Sequence, residues 1–128
     1  MIVAVGLDLV ELDRIRSVLE RHRERFLARH FAPEEIAYCE AQEDPIPSLA
    51  ARFAAKEAFQ KCWPHAHGWR DVWVLREDGR PRLAFSRSLA QALREKHQSA
   101  HLSLTHSRQH AAAVVVLEER EPAGSQGD

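Results

Sequence analysis

FAAKEAF (residues 53–59) and GLDLVE (residues 6–11) are the stretches that decide the fold, because each places a carboxylate inside an apolar pattern. Glu57 interrupts two Ala-Phe segments of an alanine-rich helix, and Asp8 follows the strand-forming run of residues 1–5. An ionised carboxylate in apolar surroundings is costly unless it is paired or holds a metal. We therefore expect folding to bring Asp8 and Glu57 together around one cation.

The composition is that of one ordinary globular domain, with 128 residues, of which 45% are hydrophobic and 29% charged. We assign the domain to residues 1–118 and expect the polar segment 119–128 to be disordered. No run approaches a membrane span, the start lacks a signal peptide, and Cys39 and Cys62 form no metal-spaced motif, so we expect a cytoplasmic protein with reduced thiols. A net charge of −1 argues against nucleic acid as a general partner.

The hydrophobic periodicity predicts an α+β fold with helices packed on an antiparallel sheet. Residues 2–9 are apolar on both faces, which is typical of a central strand. Asp13 and Ser48 are predicted to be the N-caps of two helices, which end near Arg29 and before Pro64. The other predicted elements are a short helix from Pro33, a hairpin of strands 72–76 and 83–85, a helix from Ser86 to about His97, and strands 101–105 and 111–118.

Residues 49–62 form a helix that is apolar on most sides, with Glu57 and Lys61 four positions apart in one sector. Such a pair is often a solvated ion pair on a helix surface. The alanines around it favour function instead, because small side chains let another chain or a ligand approach closely. A separate polar stripe consists of Arg52, Lys56 and Gln60.

Asp8 alone is weak evidence, since an Asp at a strand end is commonly a turn or cap residue. Together with Glu57 it would supply two hard oxygen ligands and leave most of an octahedral shell open. Mg²⁺ is usually held in this way at phosphate-transfer sites, where substrate phosphates and water complete the shell.

The first helix carries six arginines, and its charge pattern indicates a docking face. Arg14, Arg21 and Arg25 fall within about 40° of one another on a helical wheel. A run of charges is usually a solvated face, but clustering of one sign in a near-neutral protein favours an acidic partner. A nucleic acid is the rival partner, and no aromatic stacking platform accompanies the arginines.

Residues 102–107 (LSLTHS) alternate apolar and hydroxylic side chains and place His106 and Ser107 at a strand end. The segment is compatible with a plain edge strand and turn. Hydroxyls and an imidazole at a strand end also suit binding of phosphate oxygens. His65 and His67 invite a zinc interpretation, which we discount because no third ligand has suitable spacing.

These segments, in this order, resemble the holo-[acyl-carrier-protein] synthase family of 4′-phosphopantetheinyl transferases, of the short single-domain type. The resemblance covers residues 1 to about 118, and its first and third segments are highly specific together. The matching stretches are residues 6–15 (GLDLVELDRI), 25–26 with 31–35 (RF, FAPEE), 51–61 (ARFAAKEAFQK), 69–72 (WRDV), 79–81 (GRP) and 102–106 (LSLTH).

The resemblance implies transfer of the 4′-phosphopantetheine arm of coenzyme A to a serine of an apo acyl carrier protein, releasing adenosine 3′,5′-bisphosphate. It assigns Asp8 and Glu57 to a Mg²⁺ that also binds the diphosphate of coenzyme A. Glu57, directly or through a bound water, would take the serine proton. Lys61 would offset charge on the transferred phosphoryl and the leaving group.

The resemblance also implies the surroundings of this site. Arg52, His106 and Ser107 match positions that contact the coenzyme A phosphates, and Gly79, Arg80 and Pro81 match the segment near the adenine. Arg14, Arg21 and Arg25 would dock the acidic carrier. Short members of the family form homotrimers with active sites between subunits.

The chain departs from the family after Lys61, where Cys62, Trp63 and Pro64 replace a small residue and a glycine-bearing loop. The departure affects the loop geometry and the space near the pantetheine arm, but it does not touch the metal pair. Two other functions use some of the same residues: a non-catalytic module that only binds carrier proteins, and a Mg²⁺-dependent phosphohydrolase that has no need of the arginine helix.

Overall fold

An apolar strand, β1 (Ile2–Glu11), runs directly into the first helix, α1 (Leu12–His30). The computed structural model describes residues 1–121. The remaining elements are α2 (Pro33–Glu40), α3 (Ile46–Cys62), a 3-10 helix (Trp69–Asp71), β2 (Val72–Glu77), β3 (Arg80–Phe85), α4 (Arg87–Glu95), β4 (Gln98–His106) and β5 (His110–Glu119).

The strands form an antiparallel three-stranded sheet in the order β1-β5-β4 and a separate β2-β3 hairpin. The predicted α+β class with helices on an antiparallel sheet is therefore confirmed. The predicted hairpin is present too, and its turn is Asp78-Gly79, with φ of 51° and 76°. Positive φ at both central residues is the type I′ geometry that matches the twist of the flanking strands.

The third helix, α3, is the centre of the core and packs on β1 and β5. Twelve of its seventeen residues are buried, which confirms the prediction of a helix enclosed on most sides. The sequence departs from the family at Trp63, but this side chain is only 4% exposed and stacks on Phe59. Its bulk therefore belongs to the core.

Gly6 lets the backbones of β1 and α3 come into contact. A Cβ atom at this position would lie far inside the van der Waals contact distance from the Ala58 carbonyl oxygen and would also press on Cys62 Sγ. Only glycine allows so close an approach. The contact fixes the distance between α3 and β1, also at the residues that follow Gly6.

The first strand is an edge strand, so the prediction that it is central was wrong, and β5 holds the central place. The inner face of β1 packs on α3, whereas no described element covers its outer face. Leu7 and Leu9 on that outer face are 63% and 65% exposed. A strand that is apolar on both faces thus has only one face buried within this chain.

Two helix starts also differ from the predictions. α1 begins at Leu12 with Glu11 at the N-cap, so Asp13 lies in the first turn, where its charge suits the helix dipole. α3 begins at Ile46 after Pro45, and Asp44 Oδ1 accepts the Ile46 N–H at 3.1 Å.

The last strand, β5, includes Glu119 and thus extends one residue beyond the predicted domain boundary at residue 118. Most of the segment predicted to be disordered, residues 122–128, lies outside the described residues. Among the described helices, none has the length and hydropathy of a membrane span.

We expect Gly6→Ala to lower the free energy of unfolding by about 1–3 kcal/mol, because the new methyl group has to push β1 away from α3. Urea denaturation measures this loss. Gly68→Ala is the matched control, since a Cβ there would meet only Asp71 Oδ2 at an ordinary 3.4 Å. Equal stability of the two variants would contradict a close contact at Gly6.

Candidate active site

Asp8 and Lys61 meet where β1 crosses α3. Asp8 lies two residues beyond Gly6 and therefore on the same inner face of the strand. Lys61 Nζ donates to Asp8 Oδ1 at 3.2 Å and to the Leu7 carbonyl at 2.7 Å. The Asp8 side chain is 14% exposed and that of Lys61 54%, so the ammonium covers the carboxylate from the solvent side.

Glu57 lies one helical turn before Lys61 and faces the same region. Burial raises the pKa of the Glu57 carboxyl above its ordinary value, and the negative charge of Asp8 raises it further. Arg14 and Lys61 oppose this rise in pKa with their positive charges. The two carboxylates that are far apart in sequence are therefore electrostatic neighbours, as predicted.

The carboxylate pair fits a divalent cation. Asp8 Oδ2 is buried and has no hydrogen-bond donor among the described groups when Glu57 is ionised; a protonated Glu57 would donate to Asp8, which also raises the pKa of Glu57. A hard cation such as Mg²⁺ would relieve the repulsion between Asp8 and Glu57 and would give Asp8 Oδ2 a partner. No described cluster of three or more acidic, His or Cys side chains suits a metal, so two carboxylates would leave most of the shell to substrate and water.

Arg52 lies on the side of α3 away from the sheet, apart from Lys61. It is 3% exposed, and its guanidinium lies 4.4 Å from the centre of the Tyr38 ring. Its Nη1 donates to the Ser48 carbonyl at 3.2 Å, while its buried Nε has no partner among the described groups. The structure therefore places a buried cation here without a described carboxylate beside it.

The other predicted coenzyme A residues lie elsewhere in the chain. His106 ends β4 and pairs with Ala111, so two strand spacings, about 10 Å, separate it from β1. Ser107 follows in the turn, where its Oγ accepts the His110 N–H at 3.3 Å. Arg80 and Pro81 line a groove of about 800 Å³ between the β2-β3 hairpin and β4.

The arginine face of α1 is interrupted at His22, whose φ of −144° and ψ of 42° break the helix. Arg14 and Arg21 precede this kink and stay on one side, since they are two turns apart. Arg25 follows the kink, so a single straight helical wheel does not describe all three arginines. Arg14, Arg21 and Arg25 are exposed.

Sequence reasoning missed a buried ion pair between Lys56 and Glu35. Lys56 Nζ lies 2.7 Å from Glu35 Oε1, and the two side chains are 1% and 0% exposed. Glu35 also suits the first turn of α2, where an acidic side chain is favourable without any partner. The available signal was Lys56 itself, a charged residue inside an alanine-rich helix that requires a partner if it is buried.

An aromatic cluster packs beside α3, one turn before Glu57. Phe53 stacks on Trp69, with ring centroids 5.2 Å apart, and His30 meets the Trp69 ring edge-on at 4.8 Å. Burial is the main cause that lowers the pKa of His30. The histidine is therefore a neutral member of this apolar wall at physiological pH.

The chain is similar to known proteins over nearly its whole length. The family described as the 4′-phosphopantetheinyl transferase superfamily matches residues 4–115. A protein of Thermus thermophilus named holo-[acyl-carrier-protein] synthase is 55% identical over 97% of this chain and 99% of its own length. One from Deinococcus deserti with the same name is 57% identical over 94% of this chain and its full length.

Solved structures of similarly named proteins share the fold. The holo-[acyl-carrier-protein] synthase of Neisseria meningitidis aligns with a TM-score of 0.85 at 30% identity, covering 93% of this chain and all of its own. One from Bacillus anthracis, solved in complex with coenzyme A (3′,5′-ADP), gives a TM-score of 0.77 at 31% identity over 94% of this chain and 99% of its own.

We expect Glu57→Gln to raise the free energy of unfolding in metal-free buffer at neutral pH. The folded protein holds the Glu57 proton to higher pH than the unfolded chain, whose ordinary pKa is 4.5. The ionised carboxylate therefore opposes folding above its raised pKa, and this penalty is lost as the pH falls below 4.5. The gain should stay below about 1 kcal/mol, because solvent screens a partly exposed group.

Urea denaturation at several pH values measures this difference, with the exposed Glu77→Gln as control. A gain that grew on acidification, or that appeared equally in the control, would refute the like-charge interaction.

Proposed function

Since this chain belongs to the 4′-phosphopantetheinyl transferase superfamily, we propose that it transfers the 4′-phosphopantetheine group of coenzyme A to a serine of an apo acyl carrier protein. Adenosine 3′,5′-bisphosphate is the product released. The observation that carries the proposal is the buried, unsatisfied Asp8 Oδ2 beside Glu57, with the Lys61 ammonium on the other oxygen. Phosphoryl transfer needs this combination of oxygen ligands, base and cation.

In the proposed reaction, Glu57 takes the proton of the carrier serine, and the serine oxygen bonds to the β-phosphorus as the bond to the leaving phosphate breaks. The raised pKa of Glu57 suits a general base, because its affinity for the proton is closer to what neutral pH requires. Asp8 and Glu57 would hold Mg²⁺, which when bound supplies positive charge to the diphosphate. Lys61 adds a cation from the solvent side and offsets charge on the phosphoryl oxygens.

Arg52, His106 and Ser107 are proposed to bind the phosphates of coenzyme A, and Gly79, Arg80 and Pro81 to lie near its adenine. The buried Arg52 guanidinium lacks a described carboxylate partner, and a buried cation of this kind favours an anionic ligand. The groove beside Arg80 and Pro81 has the size of a small-molecule site.

The carrier protein is proposed to dock on α1. Arg16 and Arg23 are engaged by Asp13 and Glu40. Other arginines of α1 form no salt bridge with any described residue and remain available for an acidic partner. They include the three predicted docking residues, Arg14, Arg21 and Arg25.

We propose that the chain works as a homotrimer with active sites between subunits. The uncovered outer face of the sheet supports this, since Val5, Leu7 and Leu9 of β1 lie beside Val114 and Val116 of β5. An apolar face of this continuity is typical of a protein interface. The cytoplasm is the proposed compartment, and the two free cysteines suit its reducing conditions.

We expect the purified protein to add one phosphopantetheine group to an apo acyl carrier protein in the presence of coenzyme A and Mg²⁺, as measured by the mass of the carrier. Glu57→Gln should lower this transfer at least about a hundredfold while the carrier still binds, because only the base and metal ligand are removed. Glu95→Gln, an exposed carboxylate of α4, is the matched control.

The outcomes separate the three candidate functions. An unmodified carrier that forms a stable complex would favour the binding module, and degraded coenzyme A with an unmodified carrier would favour the phosphohydrolase. Full transfer by the Glu57→Gln variant would remove Glu57 from its proposed role.

For the trimer, we expect the double variant Leu7→Asp/Leu9→Asp to be monomeric and to lose transfer, because charges on the outer face oppose its burial. Light scattering coupled to size exclusion gives the mass of the assembly. Ser88→Asp, an exposed position on α4, should leave both properties unchanged. A parent protein that runs as a monomer would overturn the trimer.

A further inference from the structure

Lys56 immediately precedes Glu57, and its ammonium is held by fixed partners in the core. It pairs with Glu35 Oε1 at 2.7 Å and donates to the Trp69 carbonyl at 3.1 Å. The Phe31 ring lies beside it, with its centre 5.3 Å from Nζ. The proposed reaction uses none of these groups.

Glu35 is also fully engaged by the backbone. Its Oε1 accepts the Ala32 N–H at 3.0 Å, and its Oε2 accepts the Val74 N–H at 2.9 Å. The ion pair therefore ties α3 to the start of α2, to the 3-10 helix and to β2. Four segments of the chain meet at one pair of side chains.

Stability alone is a poor explanation for such a pair, because apolar side chains of similar volume often stabilise a core equally well. An ion pair with several hydrogen bonds also fixes the orientation of the segments that carry it, because it requires particular atoms at particular distances. The alanine-lined part of α3 does not by itself fix the rotation of the helix. Ala50, Ala54, Ala55 and Ala58 give it a smooth buried surface, on which a helix can rotate.

The rotation of α3 decides where Glu57 points. Lys56 and Ala58 flank Glu57 at about 100° on either side of the helix, and Ala58 is held against Gly6. A carboxylate about 6 Å from the helix axis moves about 2 Å when the helix turns by about 20°. Misplacement of a reacting group by about 1 Å can lower a rate about a hundredfold.

We propose that Lys56, through its ion pair with Glu35, is a positioning residue that fixes the rotation of α3 and holds Glu57 beside Asp8. This inference rests on the proposed function of Glu57 and adds the residue that orients it. Lys56 acts through the backbone of α3. The charges that shift the pKa of Glu57 are those of Asp8, Arg14 and Lys61, so a direct electrostatic role of Lys56 is not needed.

The test is the double variant Lys56→Met/Glu35→Gln, which removes both charges at nearly constant volume and leaves no unpaired ion in the core. We expect kcat to fall about ten- to hundredfold, with KM for coenzyme A and for the carrier within about twofold of the parent. The Mg²⁺ concentration for half-maximal transfer should rise several-fold. Electron paramagnetic resonance of Mn²⁺ with coenzyme A should show weaker metal binding without any turnover.

Two controls separate positioning from loss of stability. Leu93→Ala truncates a buried residue of α4 and should lower the melting temperature without changing kcat or the metal requirement of the folded protein. Arg23→Gln/Glu40→Gln removes an exposed ion pair between α1 and α2 and should change none of the kinetic constants.

The outcomes distinguish this inference from the function on which it rests. An inactive parent protein would refute the proposed function, and the inference with it. An active parent with a double variant of unchanged kcat and metal requirement would overturn the inference alone. If the double variant does not fold, Lys56→Arg keeps the charge and changes the length, and a folded Lys56→Arg protein with parental kcat and metal requirement would equally overturn it.

Discussion

The contact between Gly6 and the Ala58 carbonyl is the constraint on which the arrangement of this protein depends. It brings the backbone of β1 against α3 with no side chain between them. Because strand residues alternate between faces, the face that carries Gly6 also carries Asp8 toward the helix. The turn of α3 that holds Ala58 also carries Glu57. A packing rule for one glycine thus determines which two carboxylates meet.

The Lys56–Glu35 pair and the Asp8–Glu57 pair differ in whether their oxygen atoms have hydrogen-bond donors. Glu35 accepts hydrogen bonds from Lys56 and from two backbone amides and is fully buried, so it has no capacity left for a ligand. Asp8 keeps a buried oxygen without a donor, and its charge raises the pKa of Glu57. The fully hydrogen-bonded Lys56–Glu35 pair serves the fold. The repulsion between Asp8 and Glu57 costs stability that a bound cation would restore. This contrast is a physical reason to assign function to Asp8 and Glu57.

Local chemistry made much of this fold predictable. The hairpin of strands 72–76 and 83–85 and the enclosed helix at residues 49–62 were both predicted and are confirmed. Asp78-Gly79 is typical of the turn in such a hairpin. The place of β1 in the sheet could not be predicted, since a strand with two apolar faces has the same pattern whether its second face meets its own chain or another. The break at His22 has no glycine or proline to signal it. The partner of Lys56 was hidden because Glu35 also suits a first helical turn.

The uncovered face of β1 and the scattered phosphate-binding candidates have one explanation in common. Within the described chain, Asp8, Glu57 and Lys61 lie together, while Arg52 faces away from the sheet and His106 ends the far edge strand. A single subunit therefore presents the carboxylates and the side chains predicted to bind phosphate at different places. In the proposed trimer, a neighbouring copy packed on Leu7 and Leu9 would bury this exposed apolar face. Under the proposed function, a substrate site shared between two such copies requires their association, so loss of assembly and loss of transfer would occur together.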